Sequence, residues 1–167
     1  MARELSLDER DYARELLARA RAAMQAISDY DQAKVDRLCQ AIGWATANEK
    51  TFTRIAQQGC DESGLGDREG RPAKRFKILG ILRDALRQKS MGVIEELPEK
   101  GIVKYANPAG VIVSLIPSTN PELTPPGNGI YALKCKYAVM FSPHPASKQA
   151  TFEMVEVMRK TLRKLGA

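Results

Sequence analysis

The chain has 167 residues, 44% hydrophobic and 28% charged, with a formal net charge of +6. That is enough for one core of moderate size. Its three cysteines, Cys39, Cys60 and Cys135, are odd in number, widely spaced and accompanied by one histidine, so neither a disulfide framework nor a zinc site follows. No run approaches the roughly 18 apolar residues of a membrane span, the first residues are charged, and Lys and Arg are interspersed with Asp and Glu. The expectation is a cytoplasmic protein with no metal, no membrane and no nucleic-acid partner, whose basic excess is a solvated surface.

Residues Asp8 to about Gln58 read as helix with one interruption. Tyr12, Leu16, Ala20, Ala23 and Ile27 form one apolar stripe, and Val35, Leu38, Ile42, Ala45 and Phe52 form another. The break is expected at Ser28 to Asp31, where Asp29 or Asp31 can cap the second helix. Gly59 to Pro72, with four glycines and a proline, reads as a loop. Ile78, Leu82 and Leu86 then mark a third helix. From Gly92 the pattern shortens to two β-like runs, Val93 to Leu97 and Ile102 to Ala106, joined by the turn chemistry of Pro98-Glu99-Lys100-Gly101. The remainder reads strand (Val111 to Ile116), helix (about Pro126 to Lys134), strand (Ala138 to Phe141) and helix (Ser147 to Leu165). The last helix is amphipathic through Val155, Met158, Leu162 and Leu165.

The segment from Asn107 to Pro121 carries the most information. Val111 to Ile116 is rich in β-branched residues, uncharged and preceded by a glycine, as a strand buried on both faces of a parallel sheet should be. Ligands in open α/β sheets bind just beyond the carboxyl ends of strands, and here that position holds Ser118, Thr119 and Asn120. The overall class is α/β: an N-terminal helical region (1–91), a β-hairpin arm (92–106), and the first two βα units of a Rossmann-type parallel sheet (107–167). Two parallel strands are few for such a sheet, so the sequence is expected to be the first part of a longer polypeptide.

Four blocks in order, Asn107-Pro108-Ala109-Gly110-Val111-Ile112, Pro117-Ser118-Thr119-Asn120-Pro121, Ala132-Leu133-Lys134 and Phe141-Ser142-Pro143-His144-Pro145, resemble the CoA-acylating branch of the aldehyde dehydrogenase superfamily. That branch includes acetaldehyde, propionaldehyde and sulfoacetaldehyde dehydrogenases. Where hydrolytic members usually have Pro-Trp-Asn, this chain has Pro117-Ser118-Thr119-Asn120. Where they have Lys-Pro-Ser/Ala-Glu, it has Ser142-Pro143-His144-Pro145. Both departures favour the acylating branch.

The resemblance implies an NAD(P)-dependent oxidation of a small aldehyde to its acyl-CoA through a cysteine thioester, with coenzyme A as co-substrate. It assigns Asn120 to the stabilisation of the developing oxyanion, and Ile116, Pro117, Ser118, Thr119, Ser142, Pro143, His144 and Pro145 to contact with NAD or NADP. The acidic residue that ordinarily binds the ribose diol is missing, so the choice between the two is not legible. His144 is read as a recognition group and not as a proton carrier. Cys39 reads as a small core residue. Cys60 opens the glycine-rich loop. Cys135, between two lysines that would lower a thiol pKa, does not match the nucleophile, which the resemblance places beyond Ala167. Homo-oligomers are usual in this family, often through a hairpin arm. The competing reading is a noncatalytic module that keeps the start of the fold for oligomerisation or interaction.

Overall fold

The first three helices start at side-chain caps. The computed structural model describes residues 3–167. In it α1 (Leu7–Ala26) starts at a reciprocal box: Glu9 N–H donates to Ser6 Oγ at 3.2 Å and Ser6 N–H to Glu9 Oε2 at 2.9 Å. Arg3 pairs with the same carboxylate and, with the Ser6 backbone donor, draws its pKa down to about 2. For α2 (Gln32–Ala47), Asp31 is the cap, its Oδ1 accepting from Lys34 N–H at 2.7 Å. The expected single interruption is in fact two. Asn48 leaves the helical region and its side chain takes the N–H of Thr51 at 3.3 Å, starting α3 (Glu49–Ser63) at a new angle. That turn is what sends Phe52 and Ile55, both fully buried, into the core.

A second correction concerns Gly59. The loop expected to start there begins at Gly64, where a left-handed residue (φ 66°) ends α3. Gly59 lies inside the helix, and Pro121 packs so close to it that a Cβ at this position would stand 2.9 Å from the proline Cγ. A short 3-10 turn, Arg71–Lys74, leads into α4 (Arg75–Leu86).

The hairpin forms as expected. Strand β1 (Gly92–Leu97) pairs antiparallel with β2 (Ile102–Ala106), with a bulge at Ile94 and Gly101 at φ 62° in the turn. Strand β3 (Val111–Ile116) pairs in parallel with β4 (Ala138–Pro143), connected by α5 (Thr124–Lys134). Helix α5 tolerates Pro125 and Pro126 because they fall in its first turn, where the missing N–H groups would have no helical partner. It ends in a Schellman-type stop: Tyr137 N–H donates to Ala132 O at 2.8 Å and Lys136 N–H to Leu133 O at 2.9 Å, with Lys136 left-handed at φ 56°. Lys136 Nζ bonds the carbonyls of Ser28 and Tyr30, tying this turn to the α1–α2 connection. Finally α6 (Lys148–Lys164) runs to Gly166.

Helix α2 is central, packing on α4, α5 and α6, with α3 laid across α6. Val35, Leu38, Ile42, Phe52, Ile55, Ile78, Ile130 and Met154 make one continuous core. The parallel strands differ from the expectation of burial on both faces. Ser114 and Phe141 share the face that meets α5, through Asn128 Nδ2 donating to Ser114 Oγ at 2.7 Å and the Phe141 ring beside Gly129. On the other face Val113 and Leu115 are 60% and 76% exposed. Helix α1 touches both strands but does not cover those two side chains.

Gly59→Ala tests the contact between α3 and the loop after β3. In an open helix this change gains about 1 kcal/mol; against a proline ring at 2.9 Å it should instead cost roughly 1–3 kcal/mol. Urea denaturation gives the sign, and a raised midpoint would show that the close approach does not constrain the helix.

Candidate active site

The loop after β3 is built on a buried guanidinium. Arg71, 3% exposed, donates from Nε to Glu122 Oε1 at 3.0 Å, from Nη1 to Leu65 O at 2.9 Å and Cys60 Sγ at 3.2 Å, and from Nη2 to Thr119 O at 2.6 Å and Ser118 O at 3.3 Å. Arginine has five N–H groups, and all of them are engaged. Arg71 is therefore a frame for the loop and has no donor left for a ligand. Glu122 is fully buried, and burial holds its carboxyl above the ordinary carboxylate range against the opposing pull of Arg71. Its Oε2 has no hydrogen-bond partner.

Around this pair the backbone turns tightly. Asn120 N–H donates to Pro117 O at 3.3 Å and Thr124 N–H to Asn120 O at 3.1 Å, which leads the chain directly into α5. Lys74 Nζ donates to Asn120 Oδ1 at 2.8 Å, and Asn120 Nδ2 lies 3.4 Å from Thr119 Oγ1. Asn120 is half-buried and Thr119 exposed. The carboxyl end of β4 lies alongside: Ile116 pairs with Pro143, and His144 N–H donates to Ile116 O at 3.0 Å. The residues named from sequence at the two strand ends thus come together, with Ser142, His144 and Pro145 exposed and Pro143 half-buried.

Two of those residues are constrained in what they can contact. The Ile116 side chain is buried and its carbonyl is bonded to His144. His144 Nδ1 accepts from Ala146 N–H at 3.1 Å, which caps the turn before α6 and leaves Nε2 as the ring nitrogen facing outward. Sequence reading missed Arg71, Lys74 and Glu122. Arg71 and Lys74 sit in a segment that looked like a featureless glycine-rich loop, and only the unusual acidic residue directly after Asn120-Pro121 could have drawn attention.

The cysteines lie elsewhere. Cys39 is enclosed in the core, its thiol 3.6 Å from Ile130 O, and burial pushes its pKa up to about 12. Cys60 belongs to α3 and not to a loop, with its sulfur accepting from Arg71. Cys135 caps the far end of α5, and burial raises its pKa despite Lys134, so the expected lowering by flanking lysines does not occur. From the start of α5 to Cys135 is about 16 Å along the helix axis. Among the described residues no cluster of His, Cys, Asp or Glu is arranged to hold a metal ion, and no helix is long and apolar enough to cross a membrane.

Arg71→Met should destabilise the chain by about 3–5 kcal/mol, because it strands the Glu122 carboxylate without its partner. Arg71 opposes the rise that burial imposes on the Glu122 carboxyl, so without it that pKa is held higher still. A raised carboxyl pKa contributes stability at low pH that is lost as pH rises through the folded value, so the loss should shrink as pH falls and Glu122 takes up a proton. Denaturant melts at several pH values test this, and a loss that does not depend on pH would mean Glu122 is not the stranded group.

No family model matches the chain. It is 45% identical over 152 residues, 90% of this chain and 31% of the relative, to a sulfoacetaldehyde dehydrogenase from an Acholeplasma species. It is 32% identical over 155 residues to the acetylating succinate-semialdehyde dehydrogenase of Clostridium kluyveri, covering 92% of this chain and 34% of that protein. An acetylating aldehyde dehydrogenase from Geobacillus thermoglucosidasius superimposes with a TM-score of 0.88 at 27% identity, over 99% of this chain and 36% of that one. The chain spans about a third of the length of the relatives it matches. By sequence and by fold, this chain is similar to about a third of the length of aldehyde dehydrogenases, acetylating ones among them.

Proposed function

We propose that the chain supplies the Asn120 oxyanion donor and the nucleotide-facing strand ends of an acylating aldehyde dehydrogenase acting on a small aldehyde. The observation that carries this reading is the pairing of two polar loops at the carboxyl ends of parallel strands, joined by the 3.0 Å bond from His144 N–H to Ile116 O. Exposed Thr119, Ser142 and His144 there suit the hydroxyl-rich, anionic surface of NAD or NADP. When bound, the nicotinamide accepts the hydride released on aldehyde oxidation.

The role of this chain's residues follows from charge development. Attack of a thiolate on an aldehyde carbonyl places negative charge on its oxygen, and a donor held in place beforehand stabilises that charge without reorganising. The Asn120 amide is such a donor and does not titrate. The thiolate comes from outside these residues, because Cys39 is enclosed, Cys60 is bonded behind Arg71 and Cys135 lies at the opposite end of α5. Transfer of the acyl group to coenzyme A completes the proposed reaction. A propionaldehyde dehydrogenase from Rhodopseudomonas palustris, 25% identical with a TM-score of 0.72, was solved with bound CoA and an acylated cysteine, which supports this order of events. Sulfoacetaldehyde is the first aldehyde to test, given two relatives of that name at 45% and 38% identity.

Titrating the 15N-labelled chain with NAD and with NADP should shift the amides of Ser118, Thr119, Ser142 and His144 while sparing the hairpin. An unchanged spectrum at millimolar nucleotide would remove the binding assignment. In an active polypeptide containing this segment, Asn120→Ala should lower kcat by roughly 10²- to 10³-fold. Full turnover with chemistry rate-limiting would remove the catalytic one.

A further inference from the structure

We propose that Lys74 is a positioning residue for Asn120: it fixes the side-chain amide with its oxygen turned away from the site and its NH₂ presented as donor. The inference rests on the reading of Asn120 given above. A side-chain amide has two nearly equivalent orientations that differ by exchange of oxygen and nitrogen, and only one of them can serve an oxyanion. An ammonium group donates and cannot accept. With Lys74 Nζ 2.8 Å from it, the facing atom of Asn120 must be Oδ1, and the opposite orientation would set NH₂ against NH₃⁺. The nitrogen side then has Thr119 Oγ1 at 3.4 Å as its contact, so one amide N–H has no bond within the described residues.

The same turn sets both backbone and side chain. Residues three apart in a 3-10 helix eclipse one another, which puts Arg71 and Lys74 on one face of the segment Arg71–Lys74. From that face Arg71 holds the carbonyls of Ser118 and Thr119 while Lys74 holds the next side chain. The Lys74 ammonium beside the amide oxygen also withdraws electron density from the nitrogen, which makes its N–H groups stronger donors.

The test has a part that needs no turnover. In the 15N-labelled chain, donation to the amide oxygen strengthens its C–N partial double bond, so exchange of the two Asn120 Hδ2 protons should be slow. Lys74→Met should speed that exchange and move both resonances with the remaining spectrum intact, and Lys74→Arg should restore them. Unaltered Asn120 signals in Lys74→Met would overturn the proposal, whatever Asn120 does in catalysis. In an active polypeptide containing this segment, Lys74→Met should lower kcat about ten- to a hundredfold with KM unchanged, part of the loss expected from removing the donor itself. Added to Asn120→Ala it should cost nothing more, because it acts through that side chain. Full kcat in Lys74→Met, or an undiminished further loss in the double variant, overturns the positioning role. A silent Asn120→Ala variant would instead fail the reading of Asn120 alone, with the spectral result standing.

Discussion

The ion pair between Arg71 and Glu122 is what the loop after β3 depends on, because a buried guanidinium costs several kcal/mol unless each N–H finds an acceptor. Here the acceptors come from three separate stretches: Cys60 in the last turn of α3 with Leu65 just past its cap, the loop backbone at Ser118 and Thr119, and the carboxylate of Glu122. A pair of this kind contributes little net stability against an apolar replacement, but it strongly penalises any arrangement that separates its members. The effect is to make one loop geometry much cheaper than the others. Pro121, fully buried against Gly59, adds a steric constraint from the same helix.

The loop is framed by groups that are not themselves available for chemistry, and the division is visible in the charges. Arg71 has no free donor and Glu122 is sealed from solvent, so neither is chemically available. Lys74 is half-buried and Asn120 half-exposed at the border between this sealed frame and the open strand ends. The α2 core stands behind them, and its own half-buried ion pair, Lys134 with Asp36, fastens the end of α5 to α2. Helix α5 thus connects a rigid loop at one end to a rigid stop at the other.

The exposed side of β3 has a different character. Val113 and Leu115 are large, apolar and largely open, while their neighbours Ser114 and Ile116 are buried. An alternating burial pattern that leaves Val113 and Leu115 open means that residue choice and surroundings disagree on one face. The hairpin likewise carries Ile94, Ile102, Val103 and Tyr105 with much of their surface open.

Local chemistry was enough to read the helices, the hairpin, the parallel βα pattern and the loop at Asn120, because caps, turn residues and apolar periods act over a few neighbouring positions. Ser142 and His144 came forward only through the family resemblance, and the parallel pairing of the two strands sets them beside Ser118 and Thr119. What local chemistry could not supply were contacts between distant segments. The burial of Phe52 after the break at Asn48 and the packing of Pro121 on Gly59 are such contacts, and the raised pKa of Cys135 depends on burial outweighing its lysine neighbour. The tertiary structure alone decided that Arg71, Lys74 and Glu122 converge on the loop. Their partners are 46 to 51 residues away along the chain, and neither charge nor composition says which of 26 basic side chains will be buried against which carboxylate.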